Sequence, residues 1–241
     1  MFDELCKALD HSLSHLPCGR TFLIRDCAEI DGCFLLYHFI SLFYRATRKV
    51  VLVCIQNTPR HYSVALARFG VQMERAVENG TIVLVDFSST LSKWNGQEPA
   101  KLLENLTEEL SRATCPFKGS NEQSLLVVDC LYTLHHLNSP PSSLCTFILT
   151  CVHTVGPNSC LVMKTCAECS TNLEAICLRL SDDVLDVAPL ETGSGNDLNC
   201  QLNIRRRQKD KLLFENRKLL ACLHERNVRF FNPGLVPGVA I

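Results

Sequence analysis

Short, nearly continuous apolar runs alternate with segments in which apolar residues recur every three or four positions, and this alternation predicts an α/β chain. Thr21–Asp26, Lys49–Gln56, Thr81–Phe87, Leu125–Asp129 and Cys160–Lys164 are rich in β-branched residues, as expected of strands buried on both faces of a mostly parallel sheet. Between them, Phe34–Ala46, His61–Phe69, Pro99–Ala113 and Leu144–His153 carry helical periodicity and are long enough for crossovers. The expectation is a three-layer architecture with helices on both faces. Phe2, Leu5, Leu9, Leu13 and Leu16 fall on one helical face, which predicts an N-terminal helix over residues 1–17 ending near Pro17 and Gly19. Trp94–Pro99, Pro116–Gln123 and Asn138–Ser143 read as loops too short to divide the chain, so residues 1–241 are expected to form a single domain.

The pattern changes after Asp183. Asp182, Asp183, Asp186, Glu191 and Asp197 precede a basic run that begins at Arg205. Residues 184–241 are expected to supply antiparallel strands and a tail: Gln201–Arg206 as one strand, with Leu219–Leu223 and Val228–Phe231 as a hairpin around His224–Asn227. A helix over Asp210–Leu223 is the alternative, because Leu212, Leu219 and Leu223 also fit a helical stripe.

With 241 residues, 46% of them hydrophobic, and a net charge of -1, the chain can bury one large core and is neither disordered nor a nucleic-acid coat. The longest apolar run, Cys33–Tyr44, contains His38 and Ser41 and falls short of the roughly 20 residues a membrane helix requires. Neither a transmembrane segment nor a signal peptide is expected. The 15 cysteines are scattered and odd in number, and many lie within apolar runs, which points to reduced thiols in the cytoplasm, with the nucleus as a second compartment. Cys166 and Cys169 form the one C-x-x-C pair, without a second pair at zinc spacing, so neither a metal nor a redox centre is expected.

The segment Thr21–Ser41 has the strand, turn and helix of a phosphate-binding loop. In G-x-x-x-x-G-K-[ST], backbone N–H groups cradle phosphates, the lysine contacts the terminal ones and the hydroxyl holds magnesium. Aligning Gly32 with the second glycine places Cys27 at the first, Cys33 at the lysine and Phe34 at the hydroxyl. Neither cation nor metal-holding hydroxyl remains, so no cofactor is expected; an ordinary strand-to-helix turn capped by Asp31 fits the same residues. Leu125–Asp129 has the form of the second NTPase motif, with Asp129 as a vestigial magnesium-binding acid, although a turn-forming aspartate at a strand end is common. This spacing is that of a RecA-like core. An enzymatic alternative is an NTPase site completed at a subunit interface by Asp129, Arg20 or Arg60. Arg205, Arg206 and Arg207 head a cluster that also holds Lys209, Lys211, Arg217 and Lys218, a candidate nucleic-acid contact or a solvated strand edge. His135 and His136 lack an accompanying nucleophile, and no catalytic residue is expected.

Beyond these motifs, the ordered segments DGCFLLYHFISLFY, KVVLVCIQ, HYSVALARFGV, QLNIRRR and VRFFNPGLVPGVA resemble the family of the sixth subunit of the Elongator complex and together span most of the chain. The resemblance implies a RecA-like fold without the phosphate-binding residues. It also implies a non-catalytic role in a hetero-hexameric ring with the fourth and fifth Elongator subunits. Through that ring the family is tied to tRNA and to wobble-uridine modification, whose chemistry belongs to the catalytic Elongator subcomplex.

Overall fold

The computed structural model describes residues 3–96, 98–117, 121–137, 140–154, 156–167, 171–190, 198–208, 214–224 and 228–231. In chain order the helices are α1 (Asp3–Leu9), α2 (Cys33–Arg45), α3 (Pro59–Ala67), α4 (Met73–Glu78), α5 (Phe87–Lys93), α6 (Pro99–Thr114), α7 (Leu131–His135), α8 (Pro141–Thr154) and α9 (Thr171–Leu180). The strands are β1 (Arg20–Asp26), β2 (Lys49–Cys54), β3 (Ile82–Asp86), β4 (Ser124–Val128), β5 (Ser159–Cys166), β6 (Asp183–Ala188), β7 (Cys200–Arg207), β8 (Phe214–Leu223) and β9 (Val228–Phe231). They form one sheet in the order β3-β2-β4-β5-β1-β6-β7-β8-β9. The first six strands in chain order are parallel, and the last three are antiparallel.

Side-chain alternation along the parallel strands divides the core into two layers. Phe22, Ile24, Val50, Leu52, Leu125, Val127 and Val162 face α1 to α4. Leu23, Val51, Val53, Leu126, Val128, Leu161 and Met163 face α5 to α9. That double burial explains the absence of a polar period in these strands. The inward positions Cys200, Leu202, Ile204, Leu219, Ala221 and Val228 of the antiparallel strands all join the first layer, which explains their clearer alternation of apolar and polar residues.

Two boundaries differ from expectation. The N-terminal helix stops at Leu9 instead of running to residue 17, because Asp10 adopts a left-handed φ of 56° and the His11 N–H turns back to the Cys6 carbonyl at 2.8 Å. Leu16 is still buried, but Leu13 is exposed. The second difference is β6: residues 183–188 pair parallel to β1, so the antiparallel part begins at β7 rather than at residue 184. The hairpin of β8 and β9 is present, with Leu223 opposite Val228, and Phe214–Leu223 is strand rather than helix. Cys169, Glu191, Asp197, Lys209, Asp210, Lys211, Leu212, residues 225–227 and the tail from 232 lie outside the described residues. The 14 described cysteines are free thiols. Among the described residues, no group of His, Cys, Asp and Glu could hold a metal ion, and no helix is long and apolar enough to cross a membrane.

Beneath α1 the core contains two histidines. The His11 ring packs edge-on against Phe22 with centroids 5.5 Å apart, and that of His38 lies 5.4 Å from Phe39. Burial pushes both imidazoles down to about 3, and the Arg206 and Arg20 charges add to the effect at His11. Both rings take up protons near pH 6.5 in the unfolded chain and stay neutral in the folded one, so their contribution to stability is complete above pH 6.5 and is lost as pH falls toward 3. At pH 5 the expected loss is about 2 kcal/mol per histidine relative to neutral pH. Denaturant titrations at pH 7.5 and pH 5 check this, and a variant with Leu at both positions should show a flatter difference.

Candidate functional site

The carboxyl-terminal ends of β1, β2, β4 and β5 lie side by side, the position at which open α/β sheets bind ligands. In a nucleotide-binding protein of this topology, the turn after β1 would wrap a phosphate. Here the turn closes on itself, with reciprocal backbone bonds between Cys27 and Ile30 at 3.4 and 3.3 Å. Gly32 is the N-cap of α2, and Asp31, expected at that position, acts one residue earlier by accepting the Cys33 N–H at 2.9 Å. Gly32 is required by space: a Cβ there would lie 2.9 Å from Ile24 Cγ2 and 3.2 Å from Asp26 Cβ.

The anion facing this turn belongs to the chain itself. Asp26 Oδ2 accepts the Gly32 N–H at 3.0 Å and the Lys164 ammonium at 2.9 Å. Lys164 Nζ also lies 3.5 Å from Gln56 Oε1 and 3.9 Å from Asp31 Oδ1. Burial opposes the ammonium, but the Cys33 sulfur and the Asp26 carboxylate outweigh it and hold Lys164 above the usual lysine range. Cys33, at the motif's lysine position, is buried, and burial pushes its thiol well up. Its Sγ lies 3.7 Å from Asn57 Nδ2. Phe34, at the hydroxyl position, packs against the first core layer, and Cys27 belongs to the closed turn.

Asp129 lies just beyond β4 and is fully buried. Its Oδ1 accepts the N–H groups of Ile55 (2.8 Å) and Gln56 (3.1 Å), and its Oδ2 accepts the N–H of Asn57 (3.0 Å) and the Tyr62 hydroxyl (3.2 Å). Burial raises this carboxyl and the three N–H groups pull it back, with a net shift upward. A carboxylate offers about four lone-pair sites, and these four donors take them all. The geometry is that of a staple joining the end of β4 to the connection between β2 and α3.

Sequence reasoning placed Asp129 and Gly32 at this sheet edge but missed Asp26 and Lys164. The available signal was a lysine within the apolar run LVMKTC, because a buried charge needs a partner. The other sequence-predicted residues lie elsewhere. Arg205 pairs with Asp186 (2.9 Å), while Arg206 pairs with Asp183 (3.0 Å) and Asp10 (2.9 Å). Arg207 donates to the Leu178 and Arg179 carbonyls and covers the Phe214 ring. Arg20 joins Arg206 on the buried Asp183, at 2.6 Å. Arg60 is exposed on α3. His136 stacks edge-on against Tyr132 and, with His135, lines a cavity of about 370 Å³ between α7, α8 and α9.

With this geometry in view, the relatives are informative. A family model described as Elongation complex protein 6 matches residues 2–224. Elongator complex protein 6 of Danio rerio is 26% identical over 260 residues, covering 97% of this chain and 98% of its own length. The protein of that name from Homo sapiens is 26% identical over 266 residues, with 99% and 100% covered. Among solved structures, the flagellar accessory protein FlaH from Methanocaldococcus jannaschii aligns with a TM-score of 0.66 at 11% identity over 95% of each chain. A KaiC-like protein from Pyrococcus horikoshii aligns at 0.56 and 14% identity, covering 90% and 91%. At these identities the likeness is one of fold, and that fold is RecA-like. With a family model matched across nearly its whole length, the chain belongs to the Elongation complex protein 6 family.

Proposed function

We propose that this chain is a non-catalytic subunit of the Elongator accessory ring, joining the fourth and fifth subunits in a hetero-hexamer. In this reading the ring helps bind tRNA, and the catalytic Elongator subcomplex carries out wobble-uridine modification. The cytoplasm is the expected compartment, with the nucleus as a second one. The observation that carries the non-catalytic reading is that the chain's own Asp26 carboxylate, paired with Lys164, occupies the Gly32 N–H that a bound phosphate would use. The replacement of the motif's lysine and hydroxyl by Cys33 and Phe34, and the four donors on Asp129, point the same way. Arg205, Arg206 and Arg207 are engaged with carboxylates and carbonyls of the chain itself, which favours a structural role for them over tRNA contact.

Co-expression of the full chain with the fourth and fifth subunits, followed by mass measurement, tests the assembly. A six-subunit particle containing all three supports the reading, and a lone monomer or homo-oligomer contradicts it. Asp129→Ala strands three backbone N–H groups and a phenol, so it should cost about 3 kcal/mol or more of stability in denaturant titrations. A folded, equally stable Asp129→Ala chain would contradict the staple. Lys164→Met leaves Asp26 charged and buried, at an expected cost of about 3–5 kcal/mol, whereas the double variant with Asp26→Asn should recover much of that loss. Additive costs in that cycle would show that the two side chains do not act as a pair.

A further inference from the structure

The outer face of α3 presents a cation, an apolar residue and a second cation at one-turn spacing. Arg60, Val64 and Arg68 lie four residues apart and project from the same side, with Arg68 at the helix C-cap. Val64 is 58% exposed, more than any other large hydrophobic among the described residues. Beside it runs a groove of about 450 Å³ lined by Tyr37, Thr58, His61, Ala65 and Phe69 as well as the stripe itself, and no carboxylate lines it.

The groove walls are preset. The Tyr37 hydroxyl lies 2.7 Å from His61 Nε2, and the Tyr37 and Phe69 rings are 5.8 Å apart. Thr58 accepts the His61 N–H, and Pro59 opens the helix. A surface already ordered loses little entropy when a partner covers it. Its charge and apolarity also specify the complement. An aliphatic side chain at the centre of the stripe gains from apolar cover, and the flanking guanidiniums require carboxylates. A nucleic acid would supply the anions but offers no aliphatic group for Val64, and the nearby rings are already packed on one another.

We propose that this groove docks a segment of a neighbouring protein chain that presents an apolar side chain between carboxylates. The inference rests on the ring reading and names the surface by which the chain would enter it. The test uses the full chain co-expressed with the fourth and fifth subunits, comparing wild type with Val64→Asp and Arg60→Glu. Both positions are exposed, so the isolated variants should keep the wild-type melting temperature. Each variant should weaken assembly about tenfold or more on dilution. The Arg60→Glu defect should shrink at high salt, and that of Val64→Asp should persist. Wild-type assembly matched by both variants would overturn the groove alone, and failure of the wild type to assemble would overturn the ring reading and the groove with it. An intact ring in which Arg60→Glu weakens tRNA binding would make the groove a nucleic-acid surface and overturn the proposal.

Discussion

The buried pair of Asp26 and Lys164 is the contact on which the centre of this molecule depends. The two residues come from β1 and β5, neighbours in the sheet, and their side chains meet at 2.9 Å with little access to water. Neither charge can be buried alone without a large cost, so each requires the other. The same carboxylate accepts the Gly32 N–H and thereby sets the start of α2 against the end of β1. A bound phosphate would have to displace this carboxylate from its backbone donor. It would also have to approach a site without the usual lysine and hydroxyl, since Cys33 and Phe34 stand in their places.

The same device recurs along the sheet. Asp129 ties β4 to the connection leading into α3 through four donors. Asp183 holds Arg20 of β1 and Arg206 of β7, and Asp186 holds Arg25 and Arg205. Carboxylates that could have faced a ligand or a partner are committed to joining strands and helix starts. Charge-assisted bonds of this kind are stronger than neutral ones, and they turn the sheet edge that other proteins of this topology use for ligands into a rigid frame. Recognition is thereby moved to outer surfaces such as the face of α3.

Much of this frame was legible in the chain. The five apolar runs became β1 to β5, because strands covered on both faces need no polar period. The gap left by the missing lysine and hydroxyl was also legible, since a motif states which side chains it needs. What fills that gap was not, because Asp26 and Lys164 are 138 residues apart and only the folded sheet makes them neighbours. Long-range pairing also decided the basic run: Arg205 to Arg207 read as exposed cations until the acids of β6 lay beside them. The N-terminal helix was overextended because Leu13 and Leu16 keep the helical spacing beyond Asp10, where the backbone turns left-handed.

The most direct test of the closed site is isothermal titration of the purified full chain with magnesium and ATP. The account predicts no saturable binding up to millimolar nucleotide, because the loop's backbone donor and the nearby lysine are already held by Asp26. Stoichiometric binding at micromolar nucleotide that depends on magnesium would contradict it.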